Sequence, residues 1–177
     1  MKIKHLFPIF LLLALGTFSS CELFDKADDV SFDAELPLNF VVDETAVNPS
    51  GKTYTDSKLL DASSDPDVAK YASKIKEFKV NKITYPISGA NPSTVLFTNG
   101  TLKVASSGKT IASASSVSLS NTSEQELNAD TAGFNELASL LLADKQESIQ
   151  LQGTLSATPV TFTVSFKFHV TITANAL

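Results

Sequence analysis

The strongest constraint on what this chain can fold into is a run of strict alternation near its end. Val160, Phe162, Val164, Phe166, Phe168, Val170 and Ile172 are apolar, while Thr161, Thr163, Ser165, Lys167, His169, Thr171 and Thr173 between them are not. A period of two puts every second side chain on one face of an extended backbone, so this is a strand with one buried and one wet face. Phenylalanine, valine and threonine suit such a half-buried surface. Before it, Ile149, Leu151, Gly153, Leu155 and Ala157 alternate in the same way up to a turn at Thr158-Pro159. Near the start, Val30, Phe32, Ala34, Leu36, Leu38, Phe40 and Val42 make a third such row. Pro37 inside it has no N–H for a ladder bond and marks an edge or a bulge. A bend there would let the two halves serve different parts of a sandwich. The long first and last runs are the expected centre of the sheet.

The middle of the chain is read from its punctuation. Asn48-Pro49-Ser50-Gly51 is a turn inside a polar stretch from Asp43 to Leu60. A short helix follows, capped by Ser64 or Asp65, with Pro66 in its first turn and Val68, Tyr71, Ala72 and Ile75 on one face. Phe78 and Val80 fall on even positions, but Ile83, Tyr85 and Ile87 fall on odd ones. One strand carries both rows only with an extra residue, which predicts a bulge near Asn81-Lys82. Ser88 to Ser93 reads as a loop. Asn99-Gly100, set between Val95 and Phe97 on one side and Leu102 and Val104 on the other, predicts a hairpin turn. Ser106 to Lys109 is the next turn, and the serine-rich stretch Ile111–Leu119 predicts one or two exposed strands. Phe134, Leu137, Ala138 and Leu141 follow helical spacing, with Thr131 at the cap. Strands outnumber helices, and their order is not the βαβ alternation of a parallel sheet. The expected fold is mainly β: an antiparallel β-sandwich or open barrel with two short helical connections, in a single domain over residues 30–177.

The beginning of the chain concerns address rather than fold. Lys2, Lys4 and His5 precede an apolar run from Leu6 to Gly16, then Thr17-Phe18-Ser19-Ser20, then Cys21, the only cysteine. The apolar run is shorter than the ~20 residues that cross a bilayer as a helix. It fits the hydrophobic part of a removable export signal. Phe18-Ser19-Ser20-Cys21 resembles the lipobox of bacterial lipoproteins, with Phe18 where leucine is usual. The resemblance implies that residues 1–20 are cleaved, that Cys21 carries the lipid, and that the protein is anchored to the outer membrane of the cell envelope, periplasmic or surface-exposed. Residues 21–29 then form an acidic tether. Within it, Lys26-Ala27-Asp28-Asp29 is similar to the surface-export region of Bacteroidota-type lipoproteins.

Charge and side-chain inventory exclude several classes. The chain carries 14 basic residues, none of them arginine, against 19 acidic ones. Arginine is the usual reader of phosphate and base edges, so an acidic, arginine-free body argues against a nucleic-acid partner. With Cys21 acylated, no thiol remains for a disulfide, and His169 is the only imidazole after the signal. Zinc takes three or four nitrogen or sulfur ligands, which this inventory does not supply. Asp61, Ser63, Asp65 and Asp67 have the spacing of calcium ligands, but Pro66 stands where the loop wants glycine and Ala72 where it wants an acid. Their plainer role is to cap the following helix. Asp33 and Glu35 lie on a wet strand face, where paired carboxylates could serve glycoside hydrolysis. No Gly-x-Ser-x-Gly elbow, phosphate loop or dinucleotide fingerprint occurs, and no cofactor is implied. Phe162, Phe166 and Phe168 either fill a core or line an apolar cavity. The leading expectation is a lipid-anchored envelope protein with a non-enzymatic binding or structural role. A carrier of a hydrophobic or lipid-like ligand comes second, and an envelope hydrolase using carboxylates third.

Overall fold

The computed structural model describes residues 29–176. The signal segment, Cys21 and the tether as far as residue 28 lie outside the described residues. Two five-stranded antiparallel sheets pack against each other, which is the sandwich form of the expected fold and not a closed barrel. The first sheet holds β1 (Asp29–Asn48), β10 (Thr158–Asn175), β3 (Ile75–Tyr85) and β7 (Gln125–Glu126) in that order. Beyond Pro86, β4 (Ile87–Asn91) continues along β10. The second sheet runs β2 (Lys52–Asp61), β9 (Gln146–Leu155), β5 (Leu96–Val104), β6 (Thr110–Ser118) and β8 (Asn128–Ala129). Two helices, α1 (Pro66–Tyr71) and α2 (Thr131–Asp144), supply the connections.

The core is built by the rows that the alternation marks out. Val160, Phe162, Val164, Phe166, Phe168, Val170 and Ile172 of β10 are all buried, as are Leu36, Leu38, Phe40 and Val42 of β1. Phe166 stands edge-on to Phe40, with ring centres 5.9 Å apart, and tilts against Tyr85 at 5.7 Å. Phe97 of β5 meets Phe162 across the interior at 6.3 Å. The space left between the sheets is a void of about 30 Å³ beside Tyr85, Gly100, Ala112, Leu119 and Leu127. Small-molecule pockets run to ~300 Å³ or more, so this void is too small to hold such a ligand.

Several expectations need correction. Among the described residues the first strand is an edge, paired only with β10, and the centre of its sheet belongs to β10. It does not bend at Pro37. Its register runs unbroken from Asp29↔Asn175 to Glu44↔Val160, with Pro37 opposite Lys167, and shifts only between Glu44 and Asn48. An edge strand has a partner on one side alone, so a proline can sit there without breaking the ladder. Asp29, expected in the tether, is already in the strand. The polar stretch after Asp43 contains β2, whose burial rests on Tyr54 and Leu60. Such sparse burial hid it from a reading by alternation.

The Asn99-Gly100 hairpin is absent. β5 runs straight through it, in step with β6 at Thr98↔Ser116 and Gly100↔Ala114. Against β9 the chain gains one residue between Thr98↔Thr154 and Thr101↔Gln152. Asn99 adopts φ 51°, so the residue pair that favours a tight turn here makes a bulge. The Phe97 ring lies over Gly153, where a Cβ would come within 2.3 Å of it. Ser88 to Ser93, expected as a loop, is largely β4, and Ile111 to Leu119 is mostly one strand with Ile111, Ala112, Val117 and Leu119 buried. The cap of α2 is Asp130, one residue before Thr131, and accepts from the Gly133 N–H at 2.8 Å. α2 buries Phe134, Leu137 and Leu141 and presses on β6 so closely that a Cβ on Gly133 would lie 1.9 Å from the Thr110 carbonyl oxygen. The bulge near Asn81 and the Asp65 cap of α1 stand where the sequence puts them.

Two substitutions test this packing by denaturant unfolding. Phe166→Ala should cost ~3–5 kcal/mol, the usual loss for a buried phenylalanine, whereas Lys167→Ala on the opposite face should cost under ~0.5 kcal/mol. Equal losses would mean that β10 is buried on both faces. Gly133→Ala should cost ~1–3 kcal/mol, because the backbone of β6 must shift to admit the methyl group.

Candidate functional site

The polar chemistry of the sandwich gathers on the outer face of the first sheet. Alternation turns Ser31, Asp33 and Glu35 of β1 outward, and Lys167, His169, Thr171 and Thr173 of β10 with them. Register then sets them side by side: Glu35 opposite His169, Asp33 opposite Thr171, Ser31 opposite Thr173. The third contributor is β3. Lys82 pairs with His169 and Val80 with Val170, which leaves Asn81 as the extra residue. Past this bulge Ile83 and Tyr85 turn into the core, and Lys82 and Thr84 turn outward. Without it, Ile83 would face water and Thr84 the core. The result is a shallow crevice of about 340 Å³ lined by Asp33, Glu35, Asn81, Lys82 and His169.

Hydrogen bonds tie this face together. Asn81 Nδ2 donates to Thr171 Oγ1 at 2.9 Å, and Thr171 Oγ1 donates to Asp33 Oδ1 at 2.7 Å. Glu35 Oε1 lies 3.4 Å from His169 Nδ1. On the other side of the ring, His169 Nε2 lies 2.9 Å from Thr84 Oγ1, which donates to Glu124 Oε1 at 2.8 Å. Lys167 Nζ is 3.4 Å from the same Glu124 oxygen. The Thr84 hydrogen bond, then Lys167 and the charge of His169, hold the Glu124 carboxyl below the ordinary glutamate range.

Glu35, His169 and Thr84 are arranged in the order of an acid, a histidine and a hydroxyl. A nucleophilic hydroxyl must be reachable and must surrender its proton to the base. Thr84 is only 7% exposed, and its hydrogen points to Glu124. The arrangement suits the holding of charges better than attack on a substrate.

His169 lies on the polar strand face that the alternation assigns to it, with its side chain about one-fifth exposed. Asp33 and Glu35 are exposed on the neighbouring strand, and each has its own partner. The sequence marks Asn81 and Lys82 as a bulge but gives them no part in a site, and it does not mark Thr84 or Glu124. The phase change in β3 was the signal for Lys82 and Thr84. Glu124 arrives from a loop and has no periodicity to betray it.

The four calcium candidates do not converge. Asp61 Oδ1 accepts from the Ser63 N–H at 2.9 Å, and Asp65 Oδ1 accepts from the N–H groups of Asp67 and Val68 at 2.9 and 3.1 Å as the cap of α1. Asp67 stands in the first turn of that helix. Among the described residues, no group of three or more His, Cys, Asp or Glu side chains is placed to hold a metal. Cys21 lies outside the described residues.

No protein-family model matches the chain, and no curated protein does. Among solved structures, the decameric BFDV capsid protein is similar over 81% of this chain and 99% of that one, at 7% identity and a TM-score of 0.45. The structure of Desmodium yellow mottle tymovirus is similar over 84% and 90%, at 11% identity and a TM-score of 0.38. Likeness at this level carries no information on function.

On β2, burial pushes the Tyr54 phenol up to about 12, with the Asp56 carboxylate and then Glu44 adding to it. Tyr85 is raised by burial as well. The folded state therefore holds these phenol protons more tightly than the unfolded chain, whose tyrosines titrate near ~10. Their contribution to stability is complete below about pH 10 and is lost as pH rises from there toward 12. The urea midpoint should fall across that window, and it should fall less in Tyr54→Phe. An equal fall in the variant would show that Tyr54 titrates normally in the fold.

Proposed function

We propose that this chain is a lipid-anchored protein of the cell envelope, held at the outer membrane through Cys21, and that its sandwich acts by binding or as architecture and not by catalysis. One observation carries the reading: the order of a basic start, a short apolar run, small residues and the chain's only cysteine, with Phe18-Ser19-Ser20-Cys21 at the junction. An acyl-modified cysteine with more than one chain gives stable attachment, where a single chain holds weakly.

The geometry of the domain is compatible with such a tether. The described chain begins at Asp29, opposite Asn175 and paired with Lys76 at 2.6 Å, at the end of the sandwich where β3 starts. In this reading that end faces the membrane. The turns at Asn48–Gly51 and Ser156-Ala157 and the exposed Val47 and Leu96 lie at the far end, pointing away from it. Partners meet the outside of the molecule, because an interior void of about 30 Å³ has no room for an acyl chain. That observation removes support from the carrier reading. The hydrolase reading loses ground because Asp33 and Glu35 each face a partner of their own.

The test is made in cells. Cys21→Ser should abolish incorporation of labelled palmitate, leave the precursor uncleaved, and release the sandwich from the acylated membrane pool. A variant that is still processed at residue 20 and still sediments with membranes through its mature end would refute the lipoprotein reading.

A further inference from the structure

We propose that His169, Thr84 and Glu124 form a pH-operated latch that holds the strap Leu119–Leu127 against the edge of the first sheet at β3. The strap leaves β6, crosses from the second sheet to the first, and returns to the second as β8. Leu119 and Leu127 bury its two ends, and the Leu127 N–H donates to the Ile83 carbonyl at 3.0 Å. Between those anchors it pairs with β3 through only two residues, Gln125 opposite Tyr85 and Glu126 opposite Thr84. Gln125 Nε2 is buried there with no hydrogen-bond partner among the described residues, an uncompensated cost of closing the strap. The side chain of Glu124, bound to Thr84 and Lys167, adds a hold between those anchors.

The latch follows from counting protons. Thr84 has one hydroxyl hydrogen. While it goes to Glu124, His169 Nε2 must carry a proton and donate to Thr84 Oγ1. Nδ1 then faces Glu35, and a second proton on that nitrogen lets it donate there. The imidazolium therefore satisfies every contact at once. When His169 is neutral, one contact fails. With the proton on Nδ1, Nε2 takes the Thr84 hydrogen away from Glu124. With the proton on Nε2, the bonds to Thr84 and from Thr84 to Glu124 persist, but a bare lone pair faces the Glu35 carboxylate. In both cases Glu124 also loses a nearby positive charge. Protonation of His169 thus favours the closed strap, and deprotonation loosens it. The other charged groups around the latch are Asp33 and Glu35 from β1, Lys82 from β3, Glu126 opposite Thr84 on β7, and Lys167 on β10 itself. Leu119 and Leu127 also line the void between the sheets, so a loosened strap frees one wall of it.

This inference does not rest on the lipoprotein reading. Hydrogen–deuterium exchange of the full chain, at about pH 5.5 and about pH 8, brackets the range in which histidine changes charge. After correction for intrinsic rates, the amides of residues 120–126 should exchange about fivefold faster at the higher pH, the lower end of typical coupling between two sites. Those of Phe168–Ile172 should not change. His169→Gln should remove the pH dependence. Thr84→Val should leave the strap fast at both pH values, and Thr84→Ser, which keeps the hydroxyl, should restore the wild-type behaviour. A wild-type strap indifferent to pH, or a pH dependence that survives in His169→Gln, would overturn the latch.

Discussion

The inward row of β10 is the constraint on which the rest of the molecule depends. Its seven apolar side chains from Val160 to Ile172 are all buried between the sheets. A slip of one residue against either neighbour would bury Lys167 and His169 and expose Phe166 and Phe168. Hydrophobic burial therefore pins the register tightly. The polar face inherits that precision without supplying any of it. Glu35 stands beside His169 because Leu36 stands beside Phe168 and Ala34 beside Val170. The crevice on the outer face is a by-product of the core.

The sheet edges show how the fold manages exposed ladders. β1 is a long edge, and it carries a proline at its middle and acids along its wet face. β2 is the edge of the other sheet, with Lys52 and Lys58 on it. Prolines and charges of this kind discourage pairing with another chain. At the far side of the first sheet, β3 is covered only at Thr84 and Tyr85, by the two-residue β7. Besides that pairing, the strap is tied to β3 by the Leu127 N–H bond to the Ile83 carbonyl and the bond from Thr84 to Glu124.

Local chemistry was read correctly in some places and given the wrong job in others. Asn99 and Gly100 are suited to positive φ, and Asn99 does adopt it. Yet that preference serves a tight turn and a bulge equally well, and the strands on both sides of β5 keep the chain extended. β2 escaped notice for the opposite reason. It buries only Tyr54 and Leu60, too few to set up an alternating row. The bulge at Asn81 was visible because it changes the phase of a long apolar row. Its consequence, Thr84 under the strap, was not visible, because that depends on where Glu124 comes to rest.

By itself the sequence determined the mainly antiparallel β class, the faces of the long first and last strands and the capped helix after Asp65. Each of these is written in near-neighbour spacing, which the period of the backbone converts directly into geometry. The tertiary structure alone decided that β1 is an edge beside the central β10, that the chain runs straight through Asn99-Gly100, and that Glu35, His169, Thr84 and Glu124 meet. Those four residues come from three strands and a loop, far apart in the chain. Their meeting is set by sheet order and long-range register, which depend on how whole rows of side chains fill the space between two sheets, and no local pattern encodes that.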